Sequence, residues 1–238
     1  LRDEKNWETA NARTGLDYMV EPPSTIAVPS PFDYVNQTRV YVVSDVDKNN
    51  LDQLAAAYRE LMLASGGGAL GLFTSIFRLR QVHQRLTQSS GMDKLVLLAQ
   101  HVDPLDTGTL VDIFKAEEDA CLLGTDAVRD GIDVPGRALR LLVYDRVPWP
   151  RPTILHKARR TDFEAKHNGL KYDDMLTRLR LKQAYGRLIR RGTDRGVFVM
   201  LDHAMPSRLK GAFPEGVEVH KIGLADVIKE TKEFLVSS

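Results

Sequence analysis

The chain contains a single cysteine, Cys121, and no long apolar run. One cysteine excludes an internal disulfide and any all-cysteine metal site within this chain. Because Cys121 lies in the apolar run 120–123, we interpret it as a buried, inert thiol. No stretch of eighteen apolar residues occurs, and the charged start at residues 1–5 does not resemble a signal peptide. These absences favour a cytoplasmic protein with no membrane partner.

The usual loop that holds a nucleotide is also missing. The phosphate-binding loop needs the pattern G-x-x-x-x-G-K-[ST], in which the Lys contacts the phosphates. The glycine run Ser65–Gly68 has no Lys after it, and we predict that it is a turn before a strand. The chain therefore lacks the parts that would hold a nucleotide by itself.

The charges are unevenly distributed along the chain. The formal net charge is only +1 over 238 residues. Residues 137–195, however, contain 16 Lys and Arg against 6 Asp and Glu, whereas the remainder contains 17 against 26. This asymmetry indicates a polyanionic partner on one side of the molecule, although a solvated surface has the same pattern.

Short β-rich runs alternate with helical patterns, which predicts an α/β fold with a mainly parallel central sheet flanked by helices. Several strands are apolar throughout, as expected where helices cover both faces. We interpret residues 1–24 as an irregular leading segment and residues 25–238 as the domain. The predicted strands are Thr25–Val28, Arg39–Val43, Leu70–Thr74, Lys94–Ala99, Ala120–Gly124, Leu141–Asp145, Val197–Leu201 and Val217–His220. The predicted helices are Leu51–Ala64, Phe77–Gln88, Thr109–Glu117, Ile154–His167, Tyr172–Arg191 and Leu224–Leu235.

The stretch Gln183–Arg190 carries the strongest local pattern. On the predicted helix, steps of three and four residues return to one face, so Gln183, Arg187 and Arg190 form one polar stripe. Gly186 lies in that stripe and lets another surface approach the backbone. Two guanidiniums and an amide on one rigid face suit a polyphosphate, because each Arg is always charged and offers fork-shaped donors. A solvated Arg-rich surface is the simpler alternative.

Polar residues and glycines follow two predicted strands: Thr74 and Ser75 after one, and Thr125, Asp126, Gly131 and Asp133 after another. We expect both segments, and the Gln183–Arg190 helix, at the edge where open α/β sheets place ligands. Hydroxyls and backbone amides there suit the phosphates of a single nucleic-acid strand. Asp133 is an acceptor for a ribose hydroxyl or an arginine. The alternatives are a helix cap at Thr74-Ser75 and an ordinary loop at 131–136.

Three separated segments resemble motifs IV, V and VI of superfamily 2 helicases. They read Leu-Phe-Thr-Ser at 72–75, Leu-Gly-Thr-Asp-Ala-Val-Arg-Asp-Gly-Ile-Asp-Val-Pro-Gly at 123–136, and Gln-Ala-Tyr-Gly-Arg-Leu-Ile-Arg at 183–190. The branch that they most resemble is the DinG/XPD family of ATP-dependent DNA helicases, and the likeness covers about residues 25–220. Segments 30–33, 144–150 and 195–202 also resemble that branch. Residues 127–130 depart from the aromatic Ser-Phe-Trp-Glu of bacterial members but keep a carboxylate.

The resemblance implies a motor of two RecA-like, three-layer domains. In this family the first domain holds the nucleotide loop, binds most of the ATP and Mg, and often carries an iron–sulfur cluster; none of these parts is found in this sequence. We therefore expect the second motor domain of a DNA repair helicase, inactive alone. Its partners would be single-stranded DNA and the first RecA-like domain of the same polypeptide.

The same resemblance implies roles for individual residues. Arg187 and Arg190 would be arginine fingers that reach the γ-phosphate, and Gln183 would sense the nucleotide or the attacking water. Such fingers contribute roughly 10³–10⁵ in rate. The remaining implied residues are Gly131, Asp133 and Gly186 beside the nucleotide, and Thr74, Ser75, Thr125 and Asp126 along the DNA.

Two other classes of function stay open. A non-catalytic nucleic-acid-binding α/β module would use the basic 137–195 region, and an upstream nucleotide loop would distinguish the motor from it. A nucleotidyl or phosphosugar enzyme is disfavoured because no general base accompanies the arginines. The six histidines lack metal-ligand spacing, so we propose no metal site. Trp149, between two prolines, is suited either to stacking on a base or to packing.

Overall fold

The computed structural model describes residues 7, 11, 14–21, 24–166 and 171–236. Its backbone divides into two compact units, Leu1–Pro31 and Phe32–Ser238. In the first unit, Leu16–Tyr18 form a 3-10 turn and residues 24–30 have no regular structure. The strand predicted at Thr25–Val28 is therefore wrong. Ile26 and Val28 are highly exposed, and β-branched residues favour a strand only where neighbouring strands and a core accept them.

The second unit contains a seven-stranded sheet in which every described strand pair is parallel. The strand order is β3-β4-β2-β5-β6-β1-β7, which confirms the predicted fold class. The strands are β1 Thr38–Val43, β2 Ala69–Leu72, β3 Leu97–Ala99, β4 Cys121–Gly124, β5 Leu141–Tyr144, β6 Gly196–Met200 and β7 Val219–Ile222. Because all strands run the same way, their carboxyl ends share one edge of the sheet, and their amino ends share the other.

Helices connect the strands and cover both faces of the sheet. Their bounds are α1 Tyr34–Gln37, α2 Leu51–Ser65, α3 Ile76–Thr87, α4 Thr107–Ala116, α5 Asp126–Gly131, α6 Ile154–Lys166, α7 Tyr172–Tyr185 and α8 Leu224–Val236. The short helices α1 and α5 were not predicted. The last residue of the predicted helix Ile154–His167 lies outside the described residues. Within those residues, no helix is both long and apolar enough to cross a bilayer.

Alternation along the strands divides the core into two layers. In β1, Val40 and Val42 pack in the layer formed with α4, α5 and α7, whereas Tyr41 and Val43 pack in the layer formed with α2, α3 and α8. Residues of β2, β4, β5 and β6 alternate in the same way. Both layers are closely packed, so the sheet is buried on both faces, as its apolar strands predicted.

Two strands differ in extent from their predictions. The strand predicted at Lys94–Ala99 begins only at Leu97, because Met92–Lys94 form a 3-10 turn. The strand predicted at Val217–His220 is displaced to Val219–Ile222, after a turn in which Gly216 has a φ of +84°. In both cases a turn precedes the strand, which begins two or three residues later than predicted.

Candidate functional site

The helix α7 ends at Tyr185, so Arg187 and Arg190 lie beyond it. The prediction that Gln183, Arg187 and Arg190 share a helical stripe is therefore wrong. Gly186 is the C-cap residue, and inside the helix a glycine would lower stability by about 1 kcal/mol relative to alanine, which favours an end at this position. We call residues 186–195 the arginine segment.

Packing at the start of β6 explains why the chain leaves the helix. Leu188 and Ile189 are both buried in the core layer of α4, α5 and α7. Leu188 lies directly against Gly196, where a Cβ atom would come within 2.9 Å of the Leu188 Cβ. The Asp194 carboxylate also accepts hydrogen bonds from the backbone N–H groups of Arg190 and Arg191, both at 2.8 Å. These contacts fold the segment into a turn that leads directly into the strand.

The arginine segment lies at the amino edge of the sheet, whereas we had expected it at the carboxyl edge. It leads into Gly196, the first residue of β6, which pairs with Thr38, the first residue of β1. The side-chain amide of Gln37, just before Thr38, donates to main-chain carbonyls of the segment. The predicted site residues are thus separated into two groups.

The first group combines the two arginines with the chain that follows α5. Arg190 Nε lies 3.2 Å from Asp133 Oδ1 but makes no well-aligned hydrogen bond, although this nitrogen is buried. Arg187 Nη2 donates to the carbonyl of Asp130 at 3.0 Å. The side chain of Arg190 stays 33% exposed, and that of Asp133 71% exposed. Asp133 therefore lies within ion-pair distance of Arg190, and its two expected roles, toward a ribose hydroxyl or toward an arginine, stay predictions.

The charges of this group favour an anion. Burial, and then the nearby charge of Arg190, lower the pKa of Arg187. The two guanidiniums therefore repel each other, while Asp133, the acid beside them, is mostly in solvent. A phosphate between the exposed ends of the two guanidiniums would relieve this repulsion. The residues present thus fit the terminal phosphate of a nucleotide.

The other predicted members of this group border the arginines. Gly131 is the last residue of α5, and a Cβ there would meet nothing within 4 Å, so the backbone is open to a ligand. At Gly186 a Cβ would lie 3.2 Å from the Lys182 carbonyl oxygen, so the space beside it is partly filled. Gln183 lies in the last turn of α7 and is half-buried.

The second group lies at the carboxyl edge. Thr74 follows β2, and its backbone N–H donates to Asp145 Oδ1 at 3.0 Å. Ser75 is the N-cap of α3, and its hydroxyl oxygen accepts from the Arg78 N–H at 3.2 Å. The helix-cap alternative is therefore confirmed for Ser75. Since its oxygen is the acceptor in that bond, the Ser75 hydroxyl hydrogen is free to donate elsewhere.

Thr125 and Asp126 follow β4 at the same edge. The hydroxyl and backbone N–H of Thr125 both donate to Gln100 Oε1, at 2.9 and 3.0 Å. Asp126 accepts from Arg129 Nη1 at 2.9 Å, and Arg129 also donates to both oxygens of Asp130. Although burial alone would lower it, the hydrogen bond to Asp130 and the charge of Asp126 raise the pKa of Arg129.

Two buried aspartates, which sequence reasoning did not single out as site residues, hold this edge together. Asp145 follows β5, is fully buried, and accepts from Arg78 Nε at 2.5 Å. Asp202 lies two residues beyond β6 and accepts from Lys48 Nζ at 2.6 Å. Burial raises the pKa of Asp145, although Arg78 opposes that shift. The sequence pattern that could have identified these two aspartates is a single carboxylate directly after an apolar run.

The helix α5 connects the two groups. Its N-cap is Thr125, at the carboxyl edge, and its last turn contains Asp130, whose carbonyl accepts from Arg187. At its start, a Cβ on Gly124 would come within 2.5 Å of Val128 Cγ2, so only glycine lets α5 pack this closely on β4. The two groups are thus joined by less than two turns of helix.

Among the residues that the structure describes, the other candidates form no further catalytic or metal-binding group. In the described part of the chain, no three His, Cys, Asp or Glu side chains are grouped so that they could hold a metal ion. Cys121 is buried, and burial raises the pKa of its thiol to about 12. Trp149 is 40% exposed, which is compatible with either of its two expected roles.

The comparison with known families agrees with the motifs. The family described as "Helicase C-terminal domain" matches residues 58–220, which is more than half of the chain. The chain belongs to this helicase C-terminal domain family. The resemblance to DinG/XPD helicases is thereby confirmed, and the matched range contains all ten predicted site residues.

Curated relatives of this helicase C-terminal domain include DNA helicases. The chain is 34% identical over 194 residues to "ATP-dependent helicase DinG" of Mycobacterium tuberculosis H37Rv, covering 78% of this chain and 28% of that protein. It is 32% identical over 201 residues to "ATP-dependent DNA helicase YoaA" of Escherichia coli K12, covering 81% and 31%. It is 30% identical over 190 residues to "3'-5' exonuclease DinG" of Bacillus subtilis 168, covering 76% and 20%. The chain spans less than a third of each of these relatives.

Two solved structures of low sequence identity share the fold. "S. cerevisiae Dbp5 bound to RNA and ADP BeF3" superposes with a TM-score of 0.63 at 16% identity, covering 95% of this chain and 52% of that one. "Structure of S. tokodaii Xpd4" superposes with a TM-score of 0.60 at 14% identity, covering 85% and 41%. At these identities the likeness concerns the fold alone, and it supports the RecA-like architecture.

Proposed function

We propose that residues 25–238 are the second motor domain of an ATP-dependent DNA helicase. The observation that carries this proposal is the pair of partly exposed guanidiniums, Arg187 and Arg190, beside Asp133. The pair occurs in a helicase C-terminal domain without a nucleotide loop of its own. The other half of the nucleotide site would be supplied by a first RecA-like domain, which would hold ATP and Mg. An iron–sulfur cluster, if present, would belong to that domain.

The arginines would act on charge that develops at the γ-phosphate. Rigid donors that point at developing charge stabilise a transition state without having to reorganise. Asp194 fixes the backbone of Arg190, and Asp133 Oδ1 lies 3.2 Å from its Nε. Arg187 is held through the Asp130 carbonyl. Gln183, one turn earlier on α7, would contact the nucleotide or the attacking water, and Gly131 would let the nucleotide approach the backbone.

Single-stranded DNA would follow the carboxyl edge. Ser75 is the strongest candidate for a phosphate contact, because its hydroxyl hydrogen is free while its oxygen caps α3. The hydroxyl of Thr125 already donates to Gln100, so it would act as an acceptor toward sugar or base. Thr74 would contribute in the same place, and Asp126 would be an acceptor rather than a phosphate ligand. Domain closure on ATP would then move the strand.

The test is ATP turnover by the full-length protein with single-stranded DNA. We expect Arg187→Ala and Arg190→Ala each to lower kcat by about 10³-fold or more, because each removes charge stabilisation from the transition state. Arg59→Ala is the matched control, since Arg59 is on α2 in the opposite layer and pairs with the adjacent Glu60. Wild-type turnover in either finger variant would refute the assignment. DNA binding without any ATP turnover would favour a non-catalytic module.

A further inference from the structure

Both ends of the arginine segment are held by one short piece of chain, α1 and the first residue of β1. Before the segment, the Thr38 hydroxyl and the Tyr185 hydroxyl lie 2.6 Å apart in a hydrogen bond. The ring of Tyr34 packs against that of Tyr185, with centroids 5.8 Å apart. The last residue of α7 is thereby tied to β1.

After the arginines, Gln37 holds the second end. Its Nε2 donates to the carbonyls of Arg191, Gly192 and Asp194 at 3.1, 2.9 and 2.9 Å. Gln37 is 8% exposed, and all three partners are acceptors, so the amide must present its NH₂ group to them. No carboxylate or apolar side chain of the same length supplies that set of donors.

The residues before Gln37 form a capped helical turn that positions its side-chain amide. Asp33 is the N-cap of α1 and accepts from both the backbone N–H and the side-chain amide of Asn36, at 3.2 and 2.7 Å. These hydrogen bonds lower the pKa of Asp33, so the cap stays charged. The single turn of α1 then ends at Gln37. This gives Asp33, the last residue of the Ser-Pro-Phe-Asp segment, a structural role as the cap of α1.

We propose that Gln37 is a positioning residue for Arg187 and Arg190. Its amide fixes the carbonyls that follow the arginines, while the hydrogen bond of Thr38 to Tyr185 fixes the residue before them. The backbone of the five residues between Tyr185 and Arg191 is therefore conformationally restricted at both ends. This inference rests on the proposed function, in which the exact place of the two guanidiniums sets the rate.

The experiment compares Gln37→Met with Gln84→Met in the full-length protein. Methionine keeps the length of the side chain and removes its donors. Gln84 is an exposed residue of α3, and its side-chain amide donates to no other described residue. We expect Gln37→Met to lower kcat for ATP about 10²-fold, as a displacement of about 1 Å does, with KM within about twofold. Backbone amides of 187–195 should exchange with deuterium faster in this variant and unchanged in Gln84→Met.

Gln37→Glu adds a signature that loss of stability alone would not produce. A carboxyl buried against three carbonyl oxygens has a raised pKa, and once protonated it regains one donor. The ratio of its kcat to that of the wild type should therefore rise as the pH falls from about 8 to about 6. The same ratio for Gln37→Met should stay flat.

The outcomes separate this inference from the proposed function. Unchanged deuterium exchange in Gln37→Met overturns the inference, and so does faster exchange with wild-type kcat. If Arg187→Ala and Arg190→Ala keep full turnover, the proposed function fails, and the inference about turnover fails with it. The exchange measurement then still decides whether Gln37 holds the segment.

Discussion

At the carboxyl edge of the sheet, Asp145 and Asp202 are buried, and each bonds a cation and backbone amides. At the amino edge, in contrast, the buried polar contacts of the arginine segment involve its main chain, and the guanidiniums of Arg187 and Arg190 stay partly exposed. A buried, fully paired charge serves as scaffold because no ligand can reach it. An arginine whose backbone is fixed but whose guanidinium is accessible to solvent is available to a ligand.

The largest effect should come from removing the buried acid of the carboxyl edge. Asp145→Ala leaves Arg78, whose side chain is 10% exposed, without its charge partner. Breaking a buried pair in this way costs about 3–5 kcal/mol in the free energy of unfolding, measured by urea denaturation of the chain. Asp133→Ala, at the exposed pair with Arg190, should cost at most about 1 kcal/mol.

Two further variants test this contrast. Arg78→Met added to Asp145→Ala removes the unpaired charge and should recover part of the lost stability. Equal costs for Asp145→Ala and Asp133→Ala would show that the two edges do not differ in the way described.

A smaller effect is expected at the helix that links the edges. Gly124→Ala places a methyl group against Val128, with Cβ–Cβ at 2.7 Å, and should lower the free energy of unfolding by about 1–3 kcal/mol. Gly131→Ala, at the other end of α5, meets open space and should change stability by less than about 0.5 kcal/mol.

Val128→Ala in the Gly124→Ala background removes the two Cγ atoms, which lie 2.5 and 3.1 Å from the new methyl group, and leaves the Val128 Cβ at 2.7 Å. It should recover part of the loss if overpacking is the cause. No recovery would place the cause in the remaining contact between the two Cβ atoms or in the backbone of β4, rather than in the Cγ atoms of Val128.

The smallest effect concerns the hydroxyl donor of Ser75 at the carboxyl edge. Ser75→Asp keeps an acceptor for the Arg78 N–H, so α3 stays capped, but it removes the hydroxyl hydrogen and adds a negative charge. We expect about tenfold weaker binding of single-stranded DNA by the full-length protein and an unchanged melting temperature. The measurement is fluorescence anisotropy with a labelled oligonucleotide. A loss of thermal stability without weaker DNA binding would leave Ser75 as a cap only.

The fold was largely predictable because its strands are apolar runs between helical patterns. Seven of the eight predicted strands occur, with bounds that differ by a few residues. Thr25–Val28 had the composition of a strand, but composition does not show whether a neighbouring strand is available. The helices α1 and α5 are too short for a periodic pattern to indicate them.

The site was predictable only in part. Thr74, Ser75, Thr125 and Asp126 were placed correctly at the carboxyl edge, because they directly follow buried strands. The arginine segment was misplaced, because Leu188 and Ile189 continue the apolar spacing of α7 although they are buried in a turn. Gly186 was the one local sign that the helix ends. Gln37 could not be found in this way, since its partners are 154 to 157 residues away in the sequence.

The length of α5 has a consequence for how the two surfaces communicate. Six residues at 1.5 Å each give a rod of about 9 Å. Thr125 is the N-cap residue of α5 and is partly exposed to a ligand at the carboxyl edge. The last turn carries the Asp130 carbonyl, which accepts a hydrogen bond from Arg187. A ligand that displaced Thr125 would therefore displace the Asp130 carbonyl as well. So short a helix, packed closely against β4 at Gly124, moves as one rigid unit.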